Sequence, residues 1–463
     1  MLKYLFFVFS FITTVSFAQK HNIEVQINSA SNKKLNLAYY YWGNIYVKDT
    51  VVLDEKGYGI FEGDTLLPQG LYKLYLDEKN HFDFLLGADQ AFSLKNENFL
   101  GENLHVSGAV ETEEFAKYVL FLKNLQGQSA ELKEKLQRSS GDEKEKIQKE
   151  LEGLTPKLHN YLKEIKAKYP DTFLSAFLMA GLVPELDIST LPEEIQNNDS
   201  LLLIARFNYQ KEHYWDNFDY TDGRMLYTPL YKPKLETWFT KVLYQNYDSV
   251  KPYVINFIED TRPHKRIFQF VTSYFLNNSI NSNIMGMDAL FVDLAKKYYL
   301  SGDAFWAQEE TIKKIRENVM FAENNLIGLT APDLTLESVD GDYYSLHEIS
   351  AKYTALIIFE PNCSHCKIFV PKFHEEVYLP FRDKGLEVYA IYSMDNKEEW
   401  TAFLTKHNLY DWINVWDENN VSGFKILYDA RKTPGVYVLD KDKKIVAKKL
   451  TVEQLKKFMG DNL

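Results

Sequence analysis

Apolar positions along this chain change their spacing twice, and each change marks a part of the molecule. From His21 they alternate, with Ile23, Val25 and Ile27 on one face against Asn22, Glu24 and Gln26 on the other. Leu35, Leu37 and Tyr39 continue the habit, and further strands are expected at 49–53, 70–76 and 82–86, with a turn at 54–57. Short strands between frequent turn signals predict a small antiparallel sandwich over 19–107. Near residue 108 the spacing becomes three and four. The stretches 114–125, 131–136 and 143–169 are rich in Glu, Lys and Leu and predict helices, with Ser139 to Asp142 as the turn of a solvated helical hairpin. Helical spacing persists over 172–325, with breaks expected at Pro192, Pro229, Pro233 and Pro252. From Gly328 strands and helices alternate. An extended 331–336 leads to a turn at Asp340-Gly341. A strand over 355–359 then leads to a helix over 363–376 that Pro371 is expected to kink. A strand at 387–392, a helix at 397–407, a hairpin over 436–448 and a closing helix at 451–459 complete the order. The chain therefore reads as multidomain: an all-β sandwich, an all-α region over 108–325, and an α/β domain with a mixed sheet over 326–463.

The start of the chain carries a different signal. Lys3 supplies a positive charge, 4–15 is uncharged and mostly apolar, and Ser16-Phe17-Ala18 places small residues before a cleavage point at Gln19. Residues 1–18 read as a cleaved signal peptide, so the mature protein is expected to be periplasmic or secreted. Formal charge is −12, and no basic stripe offers a footprint for nucleic acid. Tyrosine and phenylalanine, 31 of each, are numerous enough to suggest sugar-stacking surfaces, but packing of sheets and helices accounts for them more simply.

Export sharpens the reading of the cysteines. The chain has two, Cys363 and Cys366, in the stretch FEPNCSHCKIF that follows an apolar run. A bridge between them would close almost no loop and so contribute little as a staple. An exported chain whose cysteines form one CxxC pair points to redox chemistry instead. Disulfide exchange proceeds by thiolate attack, so one sulfur must ionise near neutral pH. Cys363 is expected where a strand ends and a helix begins, with unpaired N–H groups and the positive end of the helix dipole directed at its sulfur. Ser364, His365 and Lys367 are the neighbours expected to modulate it, His365 and Lys367 by favouring the thiolate. On this reading Cys363 attacks and Cys366, one turn into the helix, resolves the mixed disulfide.

Residues 328–463 resemble the thioredoxin-like thiol–disulfide oxidoreductases of the bacterial envelope. The resemblance is carried by Ala331-Pro332, Asp340-Gly341, the apolar strand before the pair, Cys363-Ser364-His365-Cys366, Pro371, and Thr433-Pro434 just before GVYVLD. It implies a thioredoxin-like fold, a cis-proline at Pro434 close to the cysteines, and a Thr433 backbone on which an extended substrate adds as a strand. It also implies no organic cofactor, with envelope protein thiols or disulfides as substrates and a redox partner protein, soluble or membrane-embedded, as the source or sink of electrons. The upstream regions resemble the N-terminal parts of Gram-negative envelope proteins that end in such a domain, which adds architecture and no activity. Departures are visible. Asn362 replaces the tryptophan common before the first cysteine, Ile357 stands where thioredoxins bury an aspartate, and Phe369 stands where cytochrome-maturation relatives often carry glutamate. Glu360 is the candidate substitute acid, though an exposed role suits it better. A histidine inside the pair is typical of oxidising members, so the direction of electron flow stays open.

Other chemistries fit less well. A peroxiredoxin needs threonine three residues before its reactive cysteine, where this chain has Glu360. Cys363, His365 and Cys366 could hold zinc or copper, but a structural zinc site wants four ligands and no second CxxC exists. His374-Glu375 begins a zinc-protease HExxH that Tyr378 ends incorrectly. A substrate- or partner-binding envelope protein with a thioredoxin-like module is the remaining alternative, since a fold does not guarantee an activity.

Overall fold

The computed structural model describes residues 20–101 and 104–463, so the expected signal peptide lies outside the described residues. Contacts divide the chain into two compact units, Met1–Leu243 and Tyr244–Leu463, with the boundary inside the stretch of helical spacing.

In the first unit the chain forms strands β1 (His21–Ile27), β2 (Lys34–Tyr41), β3 (Asn44–Val52), β4 (Tyr58–Gly63), β5 (Gly70–Tyr75), β6 (His81–Leu86), β7 (Ala91–Asn96) and β8 (His105–Ser107), of which β4, β7 and β8 lie outside the stretches named as strands from the sequence. They form two four-stranded sheets, ordered β4-β1-β7-β8 and β3-β2-β5-β6. Alternation along β1 turns Ile23, Val25 and Ile27 inward, where they meet Leu37, Phe61, Leu74 and Phe84 in one core. Gly57 closes the turn between β3 and β4 at a φ of 74°, and a Cβ there would come within 2.0 Å of the Ile27 carbonyl oxygen. One feature departs from the expected antiparallel sandwich: β1 pairs β4 antiparallel but β7 parallel. The chain crosses to the other sheet between them, and such a crossover permits a parallel pair that hairpins cannot make.

The long helix Val110–Arg138 joins the first two periodic stretches in one element, and it ends at Ser139 and Ser140, inside the expected turn. Its first turn is anchored by side chains rather than by apolar packing alone. Glu111 accepts from the Ala88 N–H at 3.0 Å and the Leu174 N–H at 2.9 Å, and the Thr112 hydroxyl donates to the Leu85 carbonyl at 2.7 Å. Two expected breaks do not occur. Pro233 falls in the first turn of helix Tyr231–Thr237, where its missing N–H had no partner to lose. Pro252 lies within helix Tyr247–Thr261, whose buried Val250, Val254, Phe257 and Ile258 hold the helix despite the lost bond.

The second unit begins with that helix, followed by Lys265–Ile280, Met287–Leu294 and Glu309–Ala322. Its sheet comprises β9 (Thr335–Ser338), β10 (Tyr343–Ser345), β11 (Tyr353–Phe359), β12 (Leu386–Tyr392), β13 (Ile413–Trp416), β14 (Gly435–Asp440) and β15 (Ile445–Lys448). The order is β10-β9-β13-β12-β11-β14-β15, with β11, β12 and β13 parallel and the rest antiparallel, the mixed sheet expected of a thioredoxin-like fold. Both faces are covered. Ala355, Ile357 and Phe359 pack beneath helices Ser364–Phe373 and Val452–Asn462, while Leu356 and Ile358 pack against Leu346, Phe424 and Tyr428. Lys448, 2% exposed, donates from Nζ to the Asn325 carbonyl at 2.7 Å and pairs with Asp288, joining β15 to the preceding helical segment of the same unit. Helix Ser364–Phe373 runs through Pro371, and its hydrogen bonding then widens to a π-helical turn at His374–Tyr378. A wider turn is one way to absorb the missing proline N–H.

Candidate functional site

The central strand β11 ends at Phe359, and four residues later Cys363 caps the helix that begins at Ser364. The backbone of Cys363 is extended, with φ −70° and ψ 125°, and its carbonyl accepts from the Lys367 N–H at 3.1 Å to start the helix. Both thiols are free. Cys363 is half-buried and Cys366 wholly buried. Opposite them the chain enters β14, and the Thr433–Pro434 peptide bond there is cis. The Cys363 thiol donates to the Thr433 carbonyl at 3.4 Å, a contact 70 positions apart in sequence.

Environment separates the two sulfurs. Burial pulls the Cys363 thiol upward, but the Thr433 side chain, the Cys366 N–H, the Cys366 thiol and the His365 N–H favour the thiolate, and the net direction is downward. The sulfur makes no cap hydrogen bond of full geometry to the first turn, so these amides act on it mainly as oriented dipoles. The Thr433 carbonyl contact works the other way, since it is made by the protonated thiol. Burial pushes the Cys366 thiol up to about 12; the Glu360 N–H opposes this, and the neighbouring Cys363 adds to it. An ionisable, reachable sulfur therefore sits beside one held neutral.

Ser364, His365 and Lys367 are exposed. The His365 backbone N–H is among the groups that favour the Cys363 thiolate. Asn362 is exposed, Ile357 is wholly buried, and Phe369 stacks on Phe373 with centroids 5.9 Å apart. Glu360 is not the exposed glutamate expected. It is half-buried, and the Ser393 hydroxyl donates to its Oε1 and to the Phe359 carbonyl, both at 3.3 Å. Ser393 went unread in the sequence because a serine after a strand carries no motif. Its position at the end of β12, parallel to β11, was the available clue. His374, buried, faces Asp411 at 3.2 Å through Nε2. Among the described residues no group of three or more His, Cys, Asp or Glu is placed to hold a metal ion, and no helix is long and apolar enough to cross a membrane.

Residues 327–448 match the AhpC/TSA family, and residues 137–324 match a domain of unknown function, DUF5106. No curated protein matches the chain. Among solved structures, a domain of a possible thiol-disulfide isomerase from Cytophaga hutchinsonii is 39% identical, over 29% of this chain and 92% of that one, with a TM-score of 0.28. The thioredoxin domain of a thiol-disulfide oxidoreductase from Bacteroides vulgatus is 26% identical, over 29% of this chain and 96% of that one, at a TM-score of 0.28. A thioredoxin-like protein from Bacteroides caccae is 20% identical, over 61% of this chain and 98% of that one, at a TM-score of 0.48.

Proposed function

Since this chain belongs to the thioredoxin-like thiol–disulfide oxidoreductases through its AhpC/TSA-family domain at 327–448, we propose that it exchanges disulfides with exported proteins through Cys363 and Cys366. The observation that supports this reading is the split between the two thiols, one half-buried and drawn toward ionisation, the other buried and pushed up to about 12. In the reducing direction the Cys363 thiolate attacks one sulfur of a substrate disulfide. An S–S bond forms to the enzyme and the substrate's other sulfur leaves as a thiolate. Cys366 then gives up its proton and attacks Cys363 Sγ, releasing the second substrate sulfur and leaving the enzyme oxidised. The reverse sequence donates the disulfide. In either direction the Thr433 backbone offers an edge on which an extended substrate segment pairs.

The proton on Cys366 needs an acceptor. Glu360 is the candidate, because its backbone N–H is among the groups that act on that sulfur and its side chain, half-buried, accepts from Ser393. On this reading the chain is exported, its residues 1–18 are removed, its redox partner is an envelope protein, and the regions before 326 dock clients or partners. Deleting 19–325 and finding exchange with physiological clients unchanged would sink the docking role.

The reading is tested by the reduction potential of the Cys363–Cys366 pair in the full chain, equilibrated against glutathione or dithiothreitol. A value near about −270 mV marks a reductase and one near about −120 mV a disulfide donor. A pair that never forms a disulfide under any poise would refute exchange altogether.

A further inference from the structure

Within the second unit a cavity of 1070 Å³ opens beside the exchange site. Its walls are the loop after helix Lys265–Ile280, the segment entering β14, and the start of helix Val452–Asn462. Pro434 lines it, and the preceding residue, Thr433, is the one whose carbonyl meets the Cys363 sulfur at 3.4 Å.

The charges in the lining sort into pairs and a remainder. Asp288 pairs with Lys448, and Asp429 with Arg431 at 2.5 Å. Arg431 is also fixed by the Asn318 side chain at 2.8 Å and lies 4.2 Å from the Phe321 ring centroid. What remains is Lys432 and Lys449, both exposed and without an ion pair among the described residues. Among the charged residues that line the cavity, these two lysines are the ones left without a carboxylate partner. On the facing loop Ile284 and Met285 are 40% and 44% exposed and give the cavity an apolar lip.

We propose that this cavity is the docking groove for the protein partner of the exchange reaction, and that it takes an extended acidic segment flanking the partner's cysteine. Carboxylates of that segment meet Lys432 and Lys449, and its apolar side chains lie on Ile284 and Met285. The inference rests on the exchange reading and adds to it a substrate class. Charge complementarity selects the occupant: a basic segment would meet two unpaired lysines and no unpaired carboxylate, and like charges brought together oppose docking.

The test uses the reduced full chain and two disulfide-bearing peptides of one sequence, flanked by Asp and Glu in one and by Lys and Arg in the other. A small uncharged disulfide is run alongside. At ~0.1 M salt, where repulsion from the distant acidic surface is screened beyond about 10 Å, the acidic peptide is expected to react about tenfold faster. The ratio should fall toward unity at ~1 M salt. Lys432→Gln with Lys449→Gln should bring it to unity at low salt, and Lys432→Glu with Lys449→Glu should invert it. Equal rates for the two peptides on the native chain, or a preference that survives the double Gln variant, would overturn the docking inference and leave exchange standing. Failure to react with the small uncharged disulfide would instead overturn the exchange reading, and the docking with it.

Discussion

The sandwich of the first unit and the mixed sheet of the second are built from similarly apolar strands used in different ways. Along β1 the buried positions alternate, because one face meets the opposite sheet and the other meets solvent. Along β11 every residue from Thr354 to Phe359 is wholly buried, because helices and loops cover both faces. The consequence lies at the strand ends. A one-sided antiparallel strand returns through a short hairpin. A parallel strand must leave its sheet through a crossover, commonly a helix, whose N-terminus then stands at the carboxyl edge of the sheet. In the second unit that edge gathers Cys363 after β11, Ser393 after β12 and Thr433 before β14. In the first unit the parallel pair of β1 with β7 brings no cysteine to its strand ends.

The largest effect that could break this contrast is Cys363→Ser, which should reduce exchange of a small disulfide to the buffer background. Residual activity would mean that the edge of β11 is not where the chemistry lies. Cys366→Ser should leave the first step intact and accumulate mixed disulfides with client proteins, visible on non-reducing gels. If none accumulates, Cys366 is not the resolver.

Next in size are the core substitutions that set the two sheets against each other. Phe61→Ala in the sandwich and Phe359→Ala behind the cysteines each remove a wholly buried ring and should each cost about 3–5 kcal/mol. Calorimetry should show the first lowering the unfolding of the N-terminal unit while exchange of a small disulfide persists. The second should lower stability and exchange together. Loss of exchange in Phe61→Ala would show that the sandwich supports the site after all.

A smaller effect is the titration of the two thiols. Alkylation of Cys363 follows its thiolate fraction and should level off below the usual thiol range of about 8.5, while Cys366 stays unlabelled until the pH approaches about 12. The sign for stability follows. A lowered Cys363 favours the reduced fold above the unfolded thiol's pKa, and this contribution is lost as pH falls through the folded value. A raised Cys366 opposes the reduced fold as pH rises from about 8.5 toward 12, where the unfolded thiol has ionised and the folded one has not. Smallest of all, Glu360→Gln should slow release of the mixed disulfide several-fold, about what loss of a positioned base less ideal than His would give. An unchanged lifetime would remove Glu360 from the mechanism.

Legibility followed the same division. Strands that bury one face against a partner sheet, such as β1 and β5, were visible as alternation. β3 was only half visible, because Asn44 to Thr50 are exposed or nearly so and the strand needs no apolar pattern. β13 was missed, being four residues long between two turns. Pro252 misled, since the propensity of one residue yields to a buried apolar face. Glu360 was read as exposed because nothing in its neighbours reveals Ser393, which only the parallel register of β11 with β12 brings to it.

By itself the sequence determined the order of the parts, the mixed character of the last sheet, and the cysteine pair at the junction of a strand and a helix. These follow from local periodicity, from turn residues and from a spacing of three, all of which act over a few positions along the chain. The tertiary structure alone decided what touches the sulfur that the sequence had already singled out, and that lysines without an ion pair line a cavity beside it. Those properties depend on burial and on groups up to 70 positions away, such as the Thr433 carbonyl on Cys363, and desolvation and pairing are set only when the sheet has closed.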